Sequence, residues 1–330
     1  MPTTRRFAYR LLTGLMLSAA CHQGAAVAGD ARTHAGITPR YIVYYNSDAT
    51  PLSAIRDSDY THVIISFVRV LSDDAGKLAI EPPKHMEGQW DSVPGLQTAG
   101  KQVLISFGGG LANAKEYTAL IGREPRVAEL LAHWIRDRGL DGIDIDFEAS
   151  EMFHQSRDPG VGDGRQFLID LTRALRQQLP APRYALSHAP EAPYLNRHWH
   201  AGPYIDIMSA VGDSVDWMIV QYYNNGAYDD PFSKITAEGV SSTSYPRLAD
   251  AAGPLRWPSS KLLIGKPIYQ ADAKSGHLSP DEVIDQIVKP MLTNYGANFG
   301  GLAGWQYSDL TDDHRAWNGR IGRALLQADS

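Results

Sequence analysis

The chain has 330 residues, 43% of them hydrophobic and 21% charged, with a formal net charge of -6. That composition describes a globular protein able to bury a large core, and the length suits a single domain. The acidic balance and the lack of a basic stripe exclude nucleic acid as a partner and leave a neutral polymer compatible.

Arg5, Arg6 and Arg10 precede the apolar run Leu11 to Leu17, which is the layout of a secretory signal peptide. The run is too short to remain as a membrane span. Ala26-Val27-Ala28 offers a small-x-small cleavage site, giving a leader over 1–28 and a polar linker over 29–39. The one cysteine, Cys21, follows Leu17-Ser18-Ala19-Ala20, an imperfect lipobox, so a lipoprotein leader ending before Cys21 is the alternative. Arg5-Arg6 adds a hint of twin-arginine export. The expectation is a secreted or periplasmic monomer, held to a membrane only if Cys21 is lipidated. Its folded part has no disulfide and relies on core packing.

From Arg40 onward, strand and helix signals alternate. Strands are predicted at Tyr41–Tyr45, His62–Val70 and Gln102–Phe107, the last running into Gly108-Gly109-Gly110. A helical stretch from Ala114 to Arg138 is divided by Pro125. The fourth strand covers Leu140 to Glu148, and Gln166–Gln178 is its helix, with Phe167, Leu168, Leu171 and Leu175 at helical spacing. Four more strands are predicted at Tyr184–His188, Trp217–Tyr223, Leu262–Pro267 and Leu302–Tyr307, with helices at Pro280–Asn294 and His314–Gln327. Eight short apolar strands joined by helix-sized connections predict an α/β fold, a single-domain (β/α)8 TIM barrel over 40–327, with its active groups at the C-terminal strand ends.

The chemistry concentrates in Asp141-Gly142-Ile143-Asp144-Ile145-Asp146-Phe147-Glu148. Strand alternation puts Asp144, Asp146 and Glu148 on one face and Ile143, Ile145 and Phe147 on the other. The apolar face calls for a helix layer, and the acidic face for a polar, solvent-connected interior. A solvated sheet edge and a divalent-metal cluster are the competing readings. The histidines show no ligand spacing, and neither a metal nor another cofactor is expected.

The stretch resembles the Asp-x-x-Asp-x-Asp-x-Glu signature of glycoside hydrolase family 18, the chitinases and their relatives. Other motifs resemble the same family at the expected strand ends. They are Ser106-Phe107-Gly108-Gly109, Ala189-Pro190-Glu191-Ala192-Pro193, Gln221-Tyr222-Tyr223-Asn224 and Gly300-Gly301-Leu302-Ala303-Gly304-Trp305. The connection before the last strand has no room for the α+β insertion of larger members. The resemblance implies that Glu148 is the general acid, that Asp146 orients the substrate's acetamido group, and that Asp144 shares a proton with Asp146. It further implies that Tyr223 contacts the acetamido group, that Gln221 and Asn224 line the subsite, and that Trp305 is the floor of the reacting sugar's site. Tyr44 and Phe67 fall where the family has inward aromatics, and Ser106 where a hydroxyl reaches the carboxylates. Gly108 and Gly109 allow close backbone approach, and Asp141, of opposite parity, is structural. Glu191 is taken for a solvated loop carboxylate. Trp90, Trp199 and Trp257 fit no motif.

The function implied is cleavage of β-1,4 bonds between N-acetylglucosamine units of chitin or chitooligosaccharides. The mechanism would be retaining and substrate-assisted, through an oxazolinium intermediate. An endo-β-N-acetylglucosaminidase acting on the chitobiose core of N-glycans would use the same residues. A chitin-binding lectin on the same barrel would need neither turnover nor the acid.

Overall fold

The computed structural model describes residues 39–154, 158, 160–229 and 242–327. The leader, Cys21 and most of the linker lie outside the described residues. Eight parallel strands close on themselves: β1 (Arg40–Tyr45), β2 (His62–Ser72), β4 (Gln102–Gly108), β5 (Gly142–Asp146), β6 (Ala185–His188), β7 (Trp217–Gln221), β8 (Leu262–Pro267) and β9 (Gly301–Trp305). Closure joins the first and last strands, with Arg40 opposite Gly301, while β1 also pairs with β2. The expected barrel is therefore present.

One strand was not foreseen. β2 runs on to Ser72 and turns back into β3 (Leu78–Glu81), an antiparallel partner pairing Val70 with Ile80. Its alternation is too short and too polar to register as a strand by pattern. It builds a wall above one side of the barrel mouth.

Alternation along the strands sorts side chains into two cores. Ile42, Tyr44, Ile64, Leu104, Ala185, Trp217, Ile219 and Leu263 fill the barrel. Their sequence neighbours Tyr41, Val43, Ile65, Val103, Ile105 and Val220 face the helix layer. The helical stretch after β4 is indeed divided, into Ala114–Thr118 and Glu124–Asp137, and Pro125 sits in the first turn of the second helix, where its missing N–H costs nothing. The two C-terminal helical stretches each contain a wider π-type segment, Val283–Val288 and Ala316–Ile321.

The acid-bearing strand is anchored from its outer side. Phe147 is fully buried in an aromatic cluster, its ring centroid 4.5 Å from Tyr117 and 5.1 Å from Phe153. Its base is fixed by Asp141, whose Oδ2 accepts the Val103 N–H at 2.9 Å and the Gln97 amide at 2.9 Å. Asp141→Ala would leave the Val103 N–H unpaired at a 2%-exposed position, while the Gln97 amide keeps the Gly139 carbonyl at 2.8 Å. A loss of about 1–3 kcal/mol is expected. Thermal unfolding measures it, and an unchanged Tm would remove Asp141 from this role.

Candidate active site

The polar layer begins where the apolar plug ends. β4, β5 and β6 pair with Ser106, Asp144 and Ser187 in one row, so three inward polar side chains meet next to the apolar filling that includes Leu104 and Trp217. Asp144 is completely buried. Its Oδ2 accepts from Ser106 Oγ at 2.8 Å and Tyr44 Oη at 3.1 Å, and its Oδ1 from Ser187 Oγ at 2.7 Å. Burial raises the pKa of Asp144, while the three hydroxyl donors work to lower it. Ser187 escaped the sequence reading because a serine on a four-residue strand carries no signal of its own. Only the register reveals it.

One step higher, the Gln221 amide donates to Asp146 Oδ1 at 2.8 Å and to the Ala189 carbonyl at 2.9 Å. Gln221 therefore holds Asp146 in place. Burial, then the charges of Glu148 and Asp144, hold the Asp146 pKa well above the usual carboxylate range. The interaction between the two neighbouring carboxyl groups raises Asp146 and lowers Glu148, so the proton they compete for favours Asp146. Asp144, satisfied by three hydroxyls, also acts through its charge to raise Asp146. Burial raises Glu148 as well, against the lowering effect of Asp146 and Gln221.

Aromatic groups line the space above the acids. Trp305 lies 6.0 Å from Tyr44, edge-on, and 5.7 Å from Phe67, centroid to centroid, and its indole N–H donates to the Asp272 carbonyl at 3.1 Å. Simple alternation would send Phe67 outward with Ile65. The β2–β4 register slips between Ser66 and Val68, and the extra residue brings Phe67 to the cleft beside Trp305. Tyr223 is buried over the acids. Burial and the Asp146 and Glu148 charges keep its phenol neutral. Tyr222 faces the other way, its hydroxyl bound to the Thr243 carbonyl at 2.7 Å in the helix layer.

The glycines after β4 set the approach. Gly108 has φ +113°, and a Cβ there would lie 2.3 Å from the Asp146 carbonyl oxygen. At Gly109, φ +79°, a Cβ would strike the Phe67 ring at 2.7 Å. Both positions need the absence of a side chain. A cavity of about 490 Å³ opens beside them, lined by Phe67, Arg69, Glu81, His85, Leu111 and Trp305.

Two expectations change. Asn224 does not turn toward the acids: it is exposed, with φ +60°, and its Oδ1 accepts the Lys274 N–H at 2.7 Å, which ties two loops together. Glu191 is no solvated loop carboxylate. It is half-buried, and burial followed by the charge of Glu148 pushes it up to about 7, with the Tyr194 phenol acting the other way. Among the described residues, no group of three or more His, Cys, Asp or Glu side chains is placed to hold a metal ion.

Residues 40–316 match the family model for glycosyl hydrolases family 18. The chain belongs to glycoside hydrolase family 18. Family 18 relatives include chitinase D of Niallia circulans, 27% identical over 270 residues, covering 73% of this chain and 49% of that protein. The chain thus spans about half the length of that curated relative. A crystal structure of a family 18 chitinase from Pseudoalteromonas aurantia superposes with a TM-score of 0.72 at 30% identity, covering 87% of this chain and 99% of that one. The same fold, at 19% identity and a TM-score of 0.58, carries a xylanase and α-amylase inhibitor protein from Scadoxus multiflorus, covering 88% of this chain and 99% of that one. Family 18 architecture alone therefore does not decide the activity, and the acids must carry that argument.

Proposed function

We propose that the protein hydrolyses β-1,4 bonds between N-acetylglucosamine units of chitin or chitooligosaccharides, with retention, using the substrate's own acetamido oxygen as nucleophile. What supports this reading is the row of Asp144, Asp146 and Glu148 rising along β5 and past its end, with Asp144 held by three hydroxyls and Asp146 by Gln221, beside an aromatic-walled cleft. Most glycosidases place two carboxyl groups on either side of the scissile bond, and substrate assistance is the known exception of family 18. Here Asp144, Asp146 and Glu148 rise along one strand, and no sugar ring can fit between them with an acid on each face.

In this reading, Trp305 supports the apolar face of the reacting sugar, with Tyr44 and Phe67 beside it. Glu148 gives its proton to the glycosidic oxygen as the acetamido oxygen attacks the anomeric carbon. The bond to the leaving sugar breaks, and a cyclic oxazolinium ion forms. Asp146 turns its carboxylate to that cation, while Tyr223 donates to the acetamido group. Asp144, held by three hydroxyls, supplies negative charge from below. Glu148, now ionised, takes a proton from water, which opens the ring at the anomeric carbon and restores the acetamido group. A binding-only lectin has no use for a carboxyl group at the position of Glu148. Export through the leader at 1–28 belongs to the same proposal.

Partly deacetylated chitosan tests the nucleophile. A glucosamine without its acetyl group cannot react over Trp305, so the new reducing ends should all be N-acetylated. Mass spectrometry of reductively labelled products reads this. A substantial share of glucosamine at those ends would sink substrate assistance.

A further inference from the structure

Tyr223 lies just beyond the end of β7, and Trp305 is the last residue of β9. β8 runs between those two strands, so the loop that leaves its C-terminal end emerges between Tyr223 and Trp305. That loop is bonded to both sides. Toward β9, the Asp272 carbonyl accepts the Trp305 indole N–H at 3.1 Å. The turn that presents this carbonyl is closed twice, by the Asp272 N–H on the Tyr269 carbonyl at 2.9 Å and by the Tyr269 N–H on Asp272 Oδ2 at 3.0 Å. Toward β7, the Asn224 N–H donates to the Ser275 carbonyl at 3.3 Å, and Asn224 Oδ1 accepts the Lys274 N–H at 2.7 Å. Gly276 packs directly against Tyr223, where a Cβ would lie 2.7 Å from the Tyr223 Cα. On β8 itself, Lys266 Nζ donates to the Tyr222 carbonyl at 2.7 Å and to the Asp229 carbonyl at 2.8 Å, which holds the same stretch of chain from its base.

We propose that the loop after β8 is a brace that fixes the phenol of Tyr223 relative to the indole of Trp305, and that Asn224 is the positioning residue that fastens Tyr223 to it. The inference rests on the reading in which Tyr223 donates to the acetamido group of a sugar seated on Trp305. In that reading the acetamido oxygen is the nucleophile, so its donor and the platform under the ring must keep one spacing while the bond forms. Aligned reacting groups lose rate steeply when one of them is misplaced. Asn224 suits the task because its φ of +60° is a conformation that asparagine adopts more readily than most residues. The turn brings its N–H and its Oδ1 to neighbouring residues of the brace, so one side chain and its own backbone make two of the bonds between the loops. Consecutive residues thus divide the work: Gln221 holds Asp146, Tyr222 anchors in the helix layer, Tyr223 meets the substrate, and Asn224 holds the brace.

The test is steady-state kinetics on a chitooligosaccharide for wild type, Asn224→Gly, Asn224→Asp, Tyr223→Phe and the double variant Tyr223→Phe with Asn224→Gly. Glycine takes the left-handed backbone without steric cost, so Asn224→Gly removes the Oδ1 bond and little else. It should lower kcat about tenfold and leave KM within about twofold, because Trp305 and Phe67 still seat the sugar. Asn224→Asp keeps an acceptor oxygen and should regain most of the rate. In the Tyr223→Phe background, Asn224→Gly should cost less than about twofold, since no phenol hydrogen bond is left to misplace. A wild-type kcat in Asn224→Gly overturns the inference. So does the same fold loss with and without the Tyr223 hydroxyl, which a general loosening of the site would give. Tyr223→Phe measured alone separates the two readings. If it turns over at the wild-type rate, the role of Tyr223 fails and the brace fails with it. If it is slow and Asn224→Gly is not, only the present inference fails.

Discussion

Glu148→Gln should fold as the wild type does and turn over a chitooligosaccharide about 10²- to 10⁴-fold more slowly, or worse. The amide fills the same space against Gly110 but has no proton to give the leaving oxygen. Its anchoring through Phe147 in the outer core is untouched. Oligosaccharide binding, followed by calorimetry, should persist, because Trp305, Phe67 and Tyr44 remain. Turnover close to wild type would place the acid elsewhere.

Asp146→Asn should cost about 10²- to 10³-fold in kcat, the range for removing a preorganised charge from a developing ion. The amide cannot balance the oxazolinium cation, and its N–H would favour the ionised form of Glu148. The same substitution should raise stability near neutral pH. Burial and neighbouring charges raise the folded-state pKa of Asp146, so the native chain binds a proton that the unfolded chain has already released. That contribution is fully present below the ordinary carboxylate range, about pH 4, and is lost as pH rises through the raised value. Asn at this position has nothing to lose in that window. Its Tm should exceed that of wild type near neutrality and converge with it near pH 4. A variant that is fully active, or no more stable at neutral pH, would contradict the assigned environment of Asp146.

The barrel was legible in the sequence because its strands are apolar and separated by helix-sized connections, and because alternation places Asp144 and Asp146 inside without any further knowledge. Asp141 was legible by its opposite parity. Three features were not. Ser187 and Glu191 reach the acids only through the pairing of β5 with β6 and of β6 with β7, which no local pattern encodes. Phe67, which the family resemblance placed inward, reaches the cleft through a slip of one residue in register that alternation alone would misplace. Asn224 sits beside Tyr223 in sequence, yet the chain turns there into the left-handed region and its side chain leaves with the loop. Motif spacing identifies residues along one strand well, and residues across strands poorly.

The hydroxyls around Asp144 come from β1, β4 and β6, and Trp305 stands at the end of β9. The site is therefore spread around the whole ring, and the pairing of Arg40 with Gly301 that closes it joins the most distant strands in the chain. During synthesis on the ribosome, a nascent chain that has released every strand up to β8 holds all four carboxylates but neither the sugar platform nor the closing seam. Such a closure carries the largest loop entropy in the molecule and comes late in assembly. On the proposed function, catalytic competence is thus an all-or-none report that the last strand has found the first.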